Sequence, residues 1–172
     1  MHELELIQKA KAGDMDAFCR LYGLYRDRLY RYAFYRLGNS SDAEDAVSEC
    51  VLSAWAQIGE LRQPQAFPAW IFRILSGCCG KMIRQQIRRR EEAAARPEDG
   101  PRMQHDMRLV LEEALQQLKE EDREIVLLSV IAGCTSAEIG QMTGLAAGSV
   151  RSRLSRSLKK MRDFMEEGGT EI

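Results

Sequence analysis

The chain has almost no histidine. His2 and His105 are the two among 172 residues, and neither has a nucleophile nearby in sequence. Five cysteines (Cys19, Cys50, Cys78, Cys79, Cys134) form an odd, scattered set without a C-x-x-C pair. That pattern argues against a structural metal site and for free, buried thiols. No glycine-rich phosphate loop is present, and the carboxylates of Asp42 to Glu49 do not sit among apolar residues that would shift their pKa, so enzymatic chemistry is not expected. No apolar run approaches the roughly 18 residues a membrane span requires, and the first residues lack a secretory apolar core, which predicts a cytoplasmic protein with no membrane span of its own. Nothing in the sequence calls for a cofactor or a metal. No sign of charge dominates either: 25 Lys and Arg stand against 26 Asp and Glu.

That balance hides a strong partition. Gly144 to Arg162 carries Arg151, Arg153, Arg156, Lys159, Lys160 and Arg162 without an acid, and Leu61 to Arg90 carries Arg62, Arg73, Lys81, Arg84, Arg88, Arg89 and Arg90, again without one. The acids gather elsewhere, at Asp42, Glu44, Asp45 and Glu49 and again at Glu120, Glu121, Asp122 and Glu124. Two basic faces in one small protein point to a polyanion contacted twice, while near-neutral total charge argues against indiscriminate coating.

Helical periodicity runs through the chain, and no segment reads as a strand. Phe18, Leu21, Tyr22, Tyr25, Leu29, Tyr32 and Ala33 draw one apolar stripe that ends near Gly38. Ser41 with Glu44 reads as a capping box opening a second helix through Val47, Val51, Leu52 and Trp55, which should stop around Ile58 to Gly59. Gly59 to Pro68 is a loop or broken turn, after which Ala69 to Arg90 resumes helical spacing. From Glu91 to Gln104 the composition turns charged, alanine-rich and then Pro- and Gly-containing, with no stripe to bury. The expected organisation is therefore all-α, two small helical domains (residues 1–90 and 108–166) joined by a flexible linker over 91–107, with a tail over 167–172.

The second domain should contain a helix-turn-helix. Thr135 and Glu138 form a capping box, Gly144 marks the break, and Ser149 to Met165 forms the last helix with Val150, Leu154 and Leu158 inward and Ser149, Arg151, Ser152, Arg153, Ser155 and Arg156 outward. Arginine can donate two hydrogen bonds to a guanine edge, serine can meet bases or phosphates, and Lys159 and Lys160 can bind backbone as point charges. A solvated basic helix is the competing reading of such a charge run, but the turn, the cap and the lack of acids favour DNA. In the first domain, Phe67, Trp70 and Phe72 beside the cations are what opened nucleic acid needs, because bases stack on rings while phosphates meet Arg and Lys. Singly, each ring is also a candidate for the core, and Trp55 and Trp70 are expected to pack between helices.

These residues together carry a resemblance. Leu37-Gly38-Asn39, Asp42-Ala43-Glu44-Asp45, Glu49, Leu52, Trp55, Phe67, Ala69-Trp70-Ile71, Arg73-Ile74 and a closing run of arginines resemble the second conserved region of bacterial RNA polymerase sigma factors of the extracytoplasmic-function (ECF) group. Ala114-Leu115, Leu118, Arg123, Glu138-Ile139, Gly144 and Gly148 through Leu154, with Arg156, resemble that group's region four. Gly77 and Lys81 stand where the family usually has Asn and Asp, Lys119 where Pro often follows Leu, and Ala146-Ala147 replaces a more polar turn.

The resemblance implies a transcription initiation factor, not an enzyme, with core RNA polymerase and promoter DNA as partners and an anti-sigma factor as regulator. It implies that Asp42, Glu44, Asp45 and Glu49 meet polymerase. It gives Arg62, Phe67, Trp70, Arg73, Lys81, Arg84, Arg88, Arg89 and Arg90 to the minus-ten element, and Ser149, Arg151, Ser152, Arg153, Arg156, Lys159 and Lys160 to the minus-thirty-five element. The alternative is an autonomous helix-turn-helix regulator whose first domain serves dimerisation; a third is a helical interaction protein with no salt-dependent affinity for nucleic acid.

Overall fold

The computed structural model of the chain describes residues 2–93 and 107–168, all helix, turn or connection with no strand among them. Eight α-helices appear there: α1 (Glu3–Lys11), α2 (Met15–Leu37), α3 (Ser40–Gln57), α4 (Phe67–Ala93), α5 (Met107–Gln116), α6 (Glu120–Val130), α7 (Ser136–Thr143) and α8 (Ala147–Gly168). Two short 3-10 turns, Ile58–Glu60 and Pro64–Ala66, fill the connection expected between Gly59 and Pro68. The linker expected over 91–107 begins as the end of α4, and its remainder from 94 to 106 lies outside the described residues, as does 169–172 of the tail.

The apolar stripe of α2 becomes the spine of the first half. Phe18, Leu21, Tyr25, Leu29, Tyr32 and Ala33 are all buried, against α1, α3 and α4. α3 meets α2 and α4 through small side chains, Ala43, Ala46, Cys50 and Ala54, whose three- and four-residue spacing keeps them on one face and lets the backbones approach closely. Gly38 closes α2 in the left-handed conformation (φ 84°), its N–H donating to Phe34 O. Asn39 follows in an extended conformation and caps α3, its side chain accepting from Asp42 N at 2.8 Å. The capping box expected at Ser41 is therefore displaced: the cap is Asn39, and Ser41 already lies in the first turn.

The second half repeats this economy. α6 buries Ile125, Val126, Leu127 and Leu128, and α8 packs on α5, α6 and α7. Thr135 and Glu138 form the expected reciprocal cap, Thr135 N donating to Glu138 Oε2 at 2.7 Å and Glu138 N to Thr135 Oγ1 at 3.2 Å. Gly144 ends α7 at φ 76°. Gly140, buried on α7, lies under the following turn; a Cβ there would sit 2.5 Å from Leu145 O.

The halves are clasped by arginines from α2. Arg36, only 7% exposed, places Nε 3.1 Å from Glu120 Oε1 and Nη2 3.7 Å from Glu124 Oε2, while Nη1 donates to Tyr32 Oη, Ser76 O and Ser76 Oγ at 2.9–3.1 Å. Ser76 Oγ in turn donates to Glu124 at 2.5 Å. Arg28 donates to the carbonyls of Ile131 (3.1 Å) and Ala132 (2.7 Å), just past α6, where helix carbonyls lack intrahelical partners. Arg108 of α5 stacks over the Phe34 ring at 4.6 Å.

Candidate nucleic-acid and protein interfaces

α8 exists as an amphipathic helix because Val150, Ser157 and Met161 recur at spacings of seven and four and are buried, with Leu154 beside them. Leu158, expected inward, is instead 36% exposed, because it lies one residue, about 100°, past the buried line and Ser157 takes the inward place. Ser149, Arg151, Ser152, Ser155, Arg156, Lys159, Lys160 and Arg162 are exposed. Arg151, Ser152, Ser155 and Arg156 line one open surface hollow. This is a face of cations and hydroxyls on a helix presented by a tight turn, with the size and chemistry to enter a major groove.

Two cations expected on that face behave differently. Arg153 is half-buried, with Nε 2.9 Å from Asp122 Oδ1 and Nη2 3.9 Å from Glu121 Oε2, both at the start of α6. Lys160 is exposed but donates to Gln117 O at 2.8 Å, capping the end of α5.

In the first half, the acidic helix and the basic helix face each other. Glu49 pairs with Lys81 at 3.1 Å, and Asp42 accepts from Asn39 Nδ2 at 2.9 Å and from Gln86 Nε2. Glu44 and Asp45 remain exposed, and on the same helix Leu52 is 72% exposed despite its apolar character. Four and three residues short of Leu52, Ser48 is exposed and Glu49 half-buried, so the outer face of α3 presents an apolar side chain among acids. The signal for Leu52 was present in its spacing, which falls off the Ala43–Ala46–Cys50–Ala54 line.

On α4, Arg73, Lys81, Arg84, Arg88, Arg89 and Arg90 are exposed, as is Arg62 in the preceding connection. Phe67 and Phe72, by contrast, are fully enclosed: Phe67 meets Tyr25 edge-on at 5.3 Å and Phe72 meets Tyr32 edge-on at 5.8 Å. These two rings are core and cannot serve as stacking platforms for bases. Trp70 is the half-buried ring left beside cations, lining with Arg73, Lys81, Glu49 and Gly77 a groove of 490 Å³ between α3 and α4. Trp55 packs on Phe18 at 5.1 Å.

Four of the five thiols are buried and held protonated. Burial pushes Cys79 up to about 12 and Cys134 up to about 11, and raises Cys50 and Cys78 in the same direction. Cys19, expected buried with the others, is exposed. Among the described residues no cluster of three or more His, Cys, Asp or Glu is placed to hold a metal ion, and no helix is long and apolar enough to cross a membrane.

Residues 21–89 match the family model described as Sigma-70 region 2, and residues 108–161 the model described as Sigma-70, region 4. The chain is 30% identical over 162 residues to the ECF RNA polymerase sigma factor SigM of Mycobacterium tuberculosis strain Erdman, covering 91% of this chain and 81% of that protein. It is 34% identical to SigE of Mycolicibacterium smegmatis and 30% to BldN of Streptomyces coelicolor, over 91% and 92% of this chain but only 65% and 64% of theirs. In architecture it is similar to CnrH, solved with the cytosolic domain of CnrY (TM-score 0.72, 23% identity, 96% of this chain and 97% of that one). It is likewise similar to RpoE of Bartonella quintana, solved with the anti-sigma factor NepR (TM-score 0.73, 21% identity, 87% and 96%). The order of two helical units, the capped helix-turn-helix and the residues matched in both halves make this chain a member of the ECF RNA polymerase sigma factors.

Proposed function

We propose that the chain joins core RNA polymerase, recognises a two-part promoter and helps open it, acting in the cytoplasm and without chemistry of its own. Residues 1–90 form the polymerase- and minus-ten-binding domain, 91–107 the linker, 108–166 the minus-thirty-five-binding domain and 167–172 a tail. The observation that carries this reading is the pairing of two unlike surfaces in one chain: Glu44, Asp45 and the bare Leu52 on α3, and the exposed cations and hydroxyls of residues 149–162 on α8, a span with no acid in it. An apolar anchor ringed by acids suits a basic protein surface and repels DNA; the α8 face does the reverse. Arg62, Trp70, Arg73, Lys81, Arg84 and Arg88 to Arg90 supply the minus-ten contacts, with Trp70 as the ring left to stack. Ser149, Arg151, Ser152, Arg156 and Lys159 supply the minus-thirty-five contacts. An autonomous regulator whose first domain serves dimerisation would account for the α8 face but not for the likeness of residues 21–89 to Sigma-70 region 2. Because CnrH and RpoE are each held by a second protein in their structures, an anti-sigma factor is the expected regulator here too.

The test is transcription in vitro from genomic DNA with purified bacterial core polymerase, with and without the chain, reading start sites by sequencing. Discrete new starts sharing two upstream motifs are expected, and Glu44→Lys with Asp45→Lys should abolish polymerase binding while sparing affinity for duplex DNA. Starts identical to those of core alone, from a chain that binds duplex DNA, would refute the proposal.

A further inference from the structure

The proposed promoter reading assigns α8 to a groove of DNA, and a helix that reads bases must be held at a fixed angle to the rest of its domain. Two features already described bear on how that is done. Arg153 and Lys160, seven residues apart, lie nearly in line along the helix, on the flank that faces α5 and α6 and not on the outermost face. Both are engaged there, Lys160 on Gln117 O and Arg153 on Glu121 and Asp122.

The Asp122 end of the contact is demanding. Its Oδ1 is buried and accepts no hydrogen bond of good geometry; the Arg153 guanidinium, 2.9 Å away, is its charge partner. The Asp122 side chain as a whole is 24% exposed, but without that arginine its enclosed oxygen would have neither a charge partner nor a hydrogen bond, next to a DNA-binding face. Arg151, Ser152, Ser155 and Arg156 lie together around one open hollow that excludes Arg153, whereas Arg153 lines the cleft between α6 and α8 with Leu118, Asp122, Ser157 and Lys160; Arg156 borders both, but its side chain makes no ion pair with Asp122.

We infer that Arg153 is a positioning residue, clamped by Asp122 so that α8 is held at its reading angle, and that base selection falls to Arg151, Ser152, Ser155 and Arg156. This rests on the promoter-binding reading above. It separates Arg153 from the readers Arg151 and Arg156, and it moves Asp122, an acid with nothing to offer DNA directly, into the machinery of DNA recognition.

The sign of the Asp122 effect separates the two roles. If Arg153 were a reader detained by an incidental acid, Asp122→Asn would release a cation, remove a negative charge and tighten DNA binding. If the pair is a brace, the same substitution weakens binding. The experiment selects duplex DNA from a randomised library with the full wild-type chain bound to core polymerase, then measures affinity for the selected duplex against salt and the preference at each base position. Asp122→Asn and Arg153→Ala should each lose about tenfold in affinity, and the double variant should be no worse than either. Arg153→Lys, which keeps the charge on Asp122, should retain the base preferences. Arg156→Ala should instead relax preference at one position and, like any lost phosphate or base cation, reduce the salt slope by about one, which Asp122→Asn should not do. The charge-swapped chain, Asp122→Arg with Arg153→Asp, should recover most of the lost affinity.

Tighter or unchanged binding by Asp122→Asn, or altered base preference in Arg153→Lys, would overturn the assignment. Thermal melting of each variant identifies any that fail to fold; for those, the Arg153→Lys preference profile decides. Failure of the wild-type chain to select any sequence would count against promoter reading as a whole, a result distinct from all of these.

Discussion

Replacing Arg36 by methionine is expected to loosen the two halves of the molecule from each other. Methionine keeps the length and apolar stem of the side chain but removes five polar contacts at once: Glu120 at 3.1 Å, Glu124 at 3.7 Å, Tyr32 Oη at 3.1 Å, and Ser76 O and Oγ at 2.9 and 3.0 Å. Removing one partner of a fully buried ion pair costs about 3–5 kcal/mol, because the other charge is left without compensation. Here the other charges are less confined. Glu120 is 39% and Glu124 19% exposed at the side chain, and Glu124 keeps the hydroxyl of Ser76, so both can recover water. The expected loss is therefore nearer to about 2–3 kcal/mol, a sizeable share of the roughly 5–15 kcal/mol by which such domains are stable. At about 2–4 °C per kcal/mol for a chain of this size, melting should fall by roughly 5–10 °C. Urea unfolding followed by circular dichroism should also broaden, since the half containing α5 to α8 then opens before the half containing α1 to α4. Arg36→Lys, which keeps the charge but loses the fork, should fall between. A variant that melts within about 1 °C of the parent, in one transition of unchanged steepness, would show that the clasp contributes nothing net and refute the reasoning.

At Gly140, alanine would set a Cβ 2.5 Å from a backbone oxygen that cannot swing away, so Gly140→Ala should destabilise by about 1–3 kcal/mol and weaken binding to selected duplex DNA, both measurable by denaturation and titration; a neutral result would mean that the turn yields freely. Alkaline pH should expose the buried thiols. Folding raises Cys79 from 9.0 to about 12 and Cys134 to about 11, so the unfolded chain releases these protons first; their contribution is intact below about pH 9 and is lost as pH rises towards 11–12. Under reducing conditions, stability should be level to about pH 8.5 and then decline, each thiol adding at most about 1.4 kcal/mol per pH unit. Cys79→Ala should flatten that limb, and an unchanged slope would exclude Cys79 as a source.

What could be read from sequence was whatever depended on near neighbours along the chain. The α2 stripe was legible because Phe18 through Ala33 repeat at three and four, and the cap at Thr135 because Glu138 lies within its reach. The cap at Ser41 failed for a local reason as well: Asn39, two residues earlier, is an equally good acceptor and follows a glycine already turned left-handed, so it reaches the helix start first. Phe67 and Phe72 were ambiguous because a ring beside arginines suits both a core and a base stack, and the tyrosines of α2 that enclose them are far away in sequence. Leu52 and Leu158 show that hydrophobic identity is weaker information than phase: Leu52 lies opposite the buried line of α3, Leu158 one residue off that of α8, and Ser157 is buried in place of its neighbour. The pairings of Arg36 with Glu120 and of Arg153 with Asp122 had no sequence signal at all, since ion pairs between separate helices leave no period.

The close seat of Gly140 beneath the Leu145 carbonyl separates two things that evolution would otherwise have to change together. The angle between α7 and α8 is set by backbone against backbone, and the support behind α8 by Val150, Ser157 and Met161, none of which reaches the outer face. Residues 151, 152, 155 and 156 can therefore be exchanged, singly or as a set, without repacking anything beneath them. A lineage that duplicates such a chain inherits a ready frame and needs only a handful of surface substitutions to address a different set of promoters, and a designer retargeting it can confine a library to those four positions.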